Sequence, residues 1–198
     1  MYNFQDVEEK IHSFLHTLPC QSDVPMPPIR VERQNLNYAN MLLDAYASSA
    51  DSEIQAITQY LYHSKTIENK NISNAVLCIS MVEMHHLDVL SQLINLLGGK
   101  PFYYNSNFSF WKTENIAYVD KNNPYGKEKN ENGQRLYNES ACKKLERDII
   151  AEQNAINGYK YLLQHIDDQY IEKIIRKIIS DEQTHIKIFV DLIEKYCR

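Results

Sequence analysis

The chain has 198 residues, enough for one well-buried core and cramped for two domains. A formal net charge of −5 gives no basic footprint, so nucleic-acid binding has no support. Only 5 glycines and 6 prolines, with long stretches free of both, suit a mostly helical protein.

The N-terminus is acidic and lacks the apolar region of a signal peptide, and no apolar run approaches the ~20 residues of a membrane span. A soluble protein with no membrane partner is expected. Residues from about Phe4 to Leu18 form an amphipathic pattern, with Phe4, Val7, Ile11, Phe14 and Leu18 at helical spacing. Pro19 and the cluster Pro25-Met26-Pro27-Pro28 then impose extended backbone. Residues 1–34 read as an arm that packs on the main body or on a neighbouring subunit, and residues 35–198 as a single helical bundle.

Four long helical segments follow. The first spans about Asn35 to Ser64, and the second runs from Asn71 or Ser73 to Leu97, ended by Gly98-Gly99 at a C-cap. The third spans about Glu139 to His165, and the fourth starts at the acidic cap Asp167 or Asp168 and reaches Tyr196. Short turns join the first to the second and the third to the fourth, making two antiparallel hairpins. Between them lies a crossover of about forty residues, Lys100 to Asn138, rich in aromatics: Phe102, Tyr103, Tyr104, Phe108, Phe110, Trp111, Tyr118 and Tyr125. It is expected to cover the bundle or a dimer interface; stacking on a nucleic acid or sugar is the alternative. An all-α, antiparallel four-helix bundle with one long crossover between its second and third helices is the predicted fold.

Cys20, Cys78, Cys142 and Cys197 are scattered and form no Cys-x-x-Cys. Cys78 and Cys142 fall inside helical patterns, where a free thiol behaves as a small core residue. Free thiols in a reducing cytoplasm are expected rather than a disulfide framework.

One pattern repeats. Thirty residues separate Glu53 from Glu83, and thirty separate Glu152 from Glu182. In each half the second glutamate is followed three residues later by histidine, His86 and His185. At ~1.5 Å of rise per residue, a hairpin of that length returns the chain to the height at which it started. All six side chains can then share one layer. The halves match further: Glu53-x-x-Ala56-Ile57-x-x-Tyr60 parallels Glu152-x-x-Ala155-Ile156-x-x-Tyr159, an internal duplication at a period near 99 residues.

Each glutamate interrupts the apolar face of its helix. The stripes are Leu42, Tyr46, Ala50, Glu53, Ile57, Tyr60; Ile72, Val76, Ile79, Glu83, His86, Leu90; Leu145, Ile149, Glu152, Ile156, Tyr159; and Ile171, Ile175, Ile178, Glu182, His185, Phe189. An unpaired buried carboxylate costs several kcal/mol, and Lys and Arg are absent from these stripes at that level. Two divalent metals would balance four carboxylates with both histidines neutral. Glu53, Glu83, His86, Glu152, Glu182 and His185 are the predicted ligands. One imidazole per metal among carboxylates suits iron or manganese. Asp181 reads either as the partner of the second ring nitrogen of His86 or as a surface acid; its counterpart in the other half is Val82, so His185 would need a different partner. Tyr60 and Tyr159 lie seven residues after their glutamates, as core tyrosines or as groups acting beside the metals. His85 points about 100° away from His86 and stays outside the ligand set.

These residues resemble the ferritin-like di-metal carboxylate superfamily, in its rubrerythrin, bacterioferritin and manganese-catalase group, over about Asn35 to Tyr196. The resemblance implies that Glu83 and Glu182 bridge two metals, with Glu53 and His86, and Glu152 and His185, as mainly terminal ligands. Rubrerythrins usually carry a further glutamate where this chain has Ala155, and no rubredoxin-like Cys-x-x-Cys tail is present. Met84 stands where bacterioferritins present a haem-ligating methionine, but packing is the commoner role and haem is not expected. The thirteen residues after His185 leave no room for the fifth helix of storage cages.

The preferred expectation is a rubrerythrin-like di-iron oxidoreductase that reacts with hydrogen peroxide or dioxygen, draws electrons from an external donor and forms a homodimer or small homo-oligomer. The rivals are a manganese catalase with two Mn ions, a ferroxidase or iron-binding protein, and a non-enzymatic protein using the metals as cross-links.

Overall fold

A computed structural model describes residues 7–104 and 140–197. The helices are α1 (Val7–Leu15), α2 (Leu36–Leu43), α3 (Glu53–Thr66), α4 (Lys70–Leu96), α5 (Ala141–His165) and α6 (Gln169–Tyr196), with a π-helical turn at Asp44–Ser48. The pairs α3–α4 and α5–α6 are hairpins that pack on one another through α4–α6 and α3–α5. This is the all-α bundle expected. Its crossover falls largely outside the described residues, and with it Phe108, Phe110, Trp111, Tyr118 and Tyr125.

Local chemistry fixes the ends. Asn69 caps α4 by accepting from the backbone N–H of Asn71 and Ile72, and Asp168 does the same for α6 through Tyr170 and Ile171. Gly98, at φ 89°, turns the chain out of α4 as the Gly-Gly pair predicts. Two apolar clusters sandwich the carboxylate layer. One contains Leu42, Leu90, Leu93, Ile171, Ile174 and Ile178; the other contains Ile72, Val76, Ile79, Leu145 and Phe189.

Three features differ from expectation. The first long helix is not continuous: it breaks at residues 49–52, so that Glu53 opens α3 and Ala50 is exposed instead of lying on the apolar stripe. The cause is local. Ser48 Oγ donates to Leu43 O and Asp44 Oδ1 at 3.1 and 2.6 Å, and Ser52 Oγ donates to Ser49 O at 2.9 Å. These bonds offer the backbone an alternative to the helical ladder.

The cysteines are not free. Cys20 pairs with Cys78 and Cys142 with Cys197 across 58 and 55 residues of sequence. The fold brings each pair together, tying the arm to α4 and the start of α5 to the end of α6. The ground on which a reducing cytoplasm was expected is removed.

The third difference lies in the arm. Residues 16–34 do pack on the bundle, where Met26, Ile29 and Val31 cover the first cluster. The α1 helix, however, turns its apolar stripe outward, with Val7, Ile11 and Phe14 exposed. Among the described residues no helix is long and apolar enough to cross a membrane.

Candidate metal centre

The four bundle helices each deliver one carboxylate to the same level. Glu53, Glu83, His86, Glu152, Glu182 and His185 are all buried and fall into two overlapping sets. Glu53, Glu83, His86 and Glu182 place one donor atom each within 4.8 Å of one another, and so do Glu83, Glu152, Glu182 and His185. Glu83 and Glu182 are common to both.

The same ring nitrogen serves in each histidine. His86 Nδ1 lies 3.1 Å from Glu83, 3.2 Å from Glu182 and 3.6 Å from Glu53. His185 Nδ1 lies 2.8 Å from Glu182, 2.9 Å from Glu83 and 3.3 Å from Glu152. His86 Nδ1 hydrogen-bonds Glu83 Oε2, but other atoms of the layer are close without being paired. Glu83 Oε1, both Glu182 oxygens and both His185 nitrogens are buried with no hydrogen-bond partner among the described residues. Donor atoms that crowd one another with no aligned bond fit groups arranged around a cation, since buried polar atoms are otherwise paired. Carboxylate oxygens with one imidazole nitrogen on each side suit a hard or borderline divalent ion.

The electrostatics say the same. Burial, reinforced by Glu83, lifts the Glu53 carboxyl well above its ordinary range, and burial with Glu83 and Glu182 does so for Glu152. Burial opposes charge on His86 and His185, yet the surrounding carboxylates hold both imidazoles well above their usual values. Burial also opposes charge on Glu83, and the two imidazoles more than offset it. Without metal, protons stand in for the missing positive charge.

The surroundings are asymmetric. His86 Nε2 donates to Asp181 Oδ2 at 3.1 Å, while Asp181 Oδ1 accepts from Ser22 N and Oγ at 2.8 Å each and from Lys177 Nζ at 2.5 Å. On the other side the counterpart of Asp181, Val82, is a buried apolar residue, and His185 Nε2 has no hydrogen-bond partner among the described residues. Asp181 is thus buried and lies against His86. Lys177, also buried, was missed: it lies off the four stripes. Its only signal was its place one helical turn before Asp181. Ser22 had no signal at all.

Tyr60 and Tyr159 brace the layer crosswise. Tyr60 Oη donates to Glu152 Oε1 at 2.9 Å, and Tyr159 Oη donates to Glu53 Oε1. Burial and neighbouring carboxylates push both phenols well up, so they keep their protons. A polar wall behind Tyr60 also carried no sequence signal: Gln59 Nε2 donates to Asp148 Oδ1 at 2.8 Å, and His63 Nδ1 lies 2.9 Å from Asp148.

The break before Glu53 gives the layer a mouth. A cavity of about 20 Å³, lined by Ala50, Ser52, Ala56, Ala151 and Ala155, reaches Glu53, Glu83, Glu152 and Glu182. That is room for little more than one water-sized molecule. Met84 is 47% exposed and points away from the centre.

A ferritin-like family model matches residues 47–128. A Clostridium acetobutylicum protein named "Probable manganese catalase" is 24% identical over 188 residues, which cover 84% of this chain and 75% of that protein. KatB, a manganese catalase from Anabaena PCC7120, superposes with a TM-score of 0.72 at 18% identity, over 90% of this chain and 80% of its own. Rhodobacter capsulatus bacterioferritin superposes with a TM-score of 0.59 at 21% identity, over 84% of this chain and 89% of its own. This chain shares the fold of the two solved structures, the fold that the residue pattern implies.

Proposed function

We propose that this ferritin-like protein holds two redox-active divalent ions, manganese in preference to iron, and disproportionates hydrogen peroxide. The observation that carries the reading is the convergence of Glu53, His86, Glu152 and His185 about Glu83 and Glu182, with buried donor atoms left unsatisfied. In this reading Glu83 and Glu182 serve both ions, Glu53 and His86 complete one, and Glu152 and His185 complete the other. The ions, when bound, supply the two-electron chemistry of the reaction.

The chain's own residues do the rest. The narrow mouth, lined by alanines together with Asp51, Gln55 and Gln59, is of a size to admit a peroxide. Tyr60 and Tyr159 keep their protons and hold Glu152 and Glu53 in place. Asp181 fixes the ring of His86, so that Nδ1 is the nitrogen presented to the centre. The buried clusters on either side exclude bulk water and strengthen each electrostatic contact.

Disproportionation takes two electrons from one peroxide, releasing dioxygen and two protons, and gives both to a second, forming two waters. It needs no external donor. Similarity to manganese catalases along most of the chain moves the preference away from the rubrerythrin-like di-iron reading drawn from sequence, and Ala155 in place of a further glutamate agrees. Peroxide or dioxygen reduction at two irons is the second reading, supported by the same oxygen-rich donor set.

An oxygen electrode distinguishes them. Manganese-loaded protein given hydrogen peroxide alone should evolve one dioxygen for every two peroxides consumed. Consumption that requires an added reductant and releases no oxygen would establish the second reading instead.

A further inference from the structure

The α1 helix packs on α4 with Leu15 buried but with most of its apolar stripe left outside. Ile11 and Phe14 are 51% and 61% exposed, while His12 is half-buried and the exposed His16 still places its ring against His85. Opposite that pair, α4 presents His85 and Asp88. We propose that His12, His16 and His85 form a mononuclear site for a nitrogen-preferring divalent transition metal, zinc above all, that clips α1 to the bundle.

The geometry is specific. His12 and His16 stand one helical turn apart, on the same side of the helix. The His85 ring meets both edge-on, with ring centres 5.1 Å from His12 and 5.3 Å from His16. Two imidazoles on one tetrahedral ion, at a metal–nitrogen distance of ~2.0–2.1 Å, have centres about 5 Å apart. The rings would turn and α1 would close slightly on α4 to bring the three ring nitrogens onto one ion.

Two further observations point to a ligand. His85 is buried, and its Nε2 has no hydrogen-bond partner among the described residues. His12 Nε2 is 3.0 Å from Asp88 Oδ2, which also accepts from Gln92 Nε2 at 2.8 Å. A histidine that donates one ring N–H to a carboxylate is oriented to give the other nitrogen to a metal. An open recess lined by Glu9, His12, Ser13 and His16 leaves the two α1 histidines accessible beside an acidic side chain. Three imidazoles favour zinc, cobalt, nickel or copper, whereas the bundle centre favours harder ions. The neighbours His85 and His86 therefore face two different sites from one helix. The proposal does not depend on the chemistry at the bundle centre.

The test uses the full chain and His12→Ala/His16→Ala, substitutions on an exposed helix outside the centre. Both proteins, with the bundle centre filled first, are titrated with zinc and analysed for bound metal. Wild type should bind one more zinc per chain than the variant. Cobalt in place of zinc should give wild type a tetrahedral visible spectrum that the variant lacks. Hydrogen exchange of residues 7–16 should slow on zinc addition in wild type alone. Equal zinc stoichiometry in the two proteins would overturn the site. So would exchange that ignores zinc and slows with protein concentration, since a second copy would then be covering the apolar face.

Discussion

Tyr60 and Glu152 belong to opposite halves of the duplicated chain, and the phenol of one donates to the carboxylate of the other at 2.9 Å. Tyr159 and Glu53 repeat the contact with the halves exchanged. The two hairpins are therefore cross-braced at the level of the candidate ligands. Each tyrosine steadies the carboxylate on one side only.

Tyr60→Phe should weaken metal retention chiefly at the Glu152–His185 side, and Tyr159→Phe chiefly at the Glu53–His86 side. Loss of a contact behind a ligand typically costs roughly 10–100-fold in metal affinity. Chelator competition followed by metal analysis should show one ion leaving early in each variant. Equal loss of both ions would contradict the crosswise arrangement.

Asp181 holds Nε2 of His86, and nothing among the described residues holds Nε2 of His185. Asp181→Asn retains an acceptor for Ser22 and Lys177 but weakens the hold on His86. One of the two ions should then dissociate roughly 10–100-fold more readily. Lys177→Met, by contrast, leaves Asp181 to Ser22 and His86 and should lower the melting temperature more than it lowers metal content.

Metal-free protein should lose stability as pH rises. Glu53, Glu152, His86 and His185 all have folded pKa values raised above the ordinary 4.5 for Glu and 6.5 for His. The folded state binds more protons than the unfolded, so these contributions are complete below the ordinary values and fall away above them. Glu83 and Asp181 are shifted down and oppose this only as pH falls below 4.5 and 3.8. Calorimetry of chelated protein should find the highest melting temperature in mild acid and a decline toward about pH 8. The loaded protein should show the reverse, because ligands must shed protons to bind metal. A chelated protein that melts higher at pH 8 would contradict the buried layer.

The thirty-residue interval was legible because helical rise converts sequence distance into height. The Glu-x-x-His pairs were legible because an apolar stripe tolerates a carboxylate only when a cation or proton neutralises it. The break before Glu53 was hidden: Ala50 keeps helical spacing, and only the bonds made by Ser48 and Ser52 show that the ladder fails there. The facing of α1 was hidden too, since amphipathicity predicts a buried apolar stripe and the structure leaves Val7, Ile11 and Phe14 exposed. Cysteine pairing depends on where helix ends meet, which spacing does not reveal.

The Cys142–Cys197 link closes a loop of 55 residues and joins the ends of α5 and α6. Replacing both cysteines by serine should cost about 2–4 kcal/mol. Denaturant melts under non-reducing conditions should show it, and under strong reductant wild type should approach the variant. Coincident melts before and after reduction would mean that the pair contributes nothing.

Two ions that share Glu83 and Glu182 are the centre of the proposed function. The most direct measurement is anomalous diffraction from crystals of the manganese-loaded protein. Two peaks per chain about 3.5–4 Å apart, lying between Glu83 and Glu182 with His86 on one side and His185 on the other, are the predicted result. A single peak, or metal retained in full by Glu83→Ala/Glu182→Ala, would contradict it.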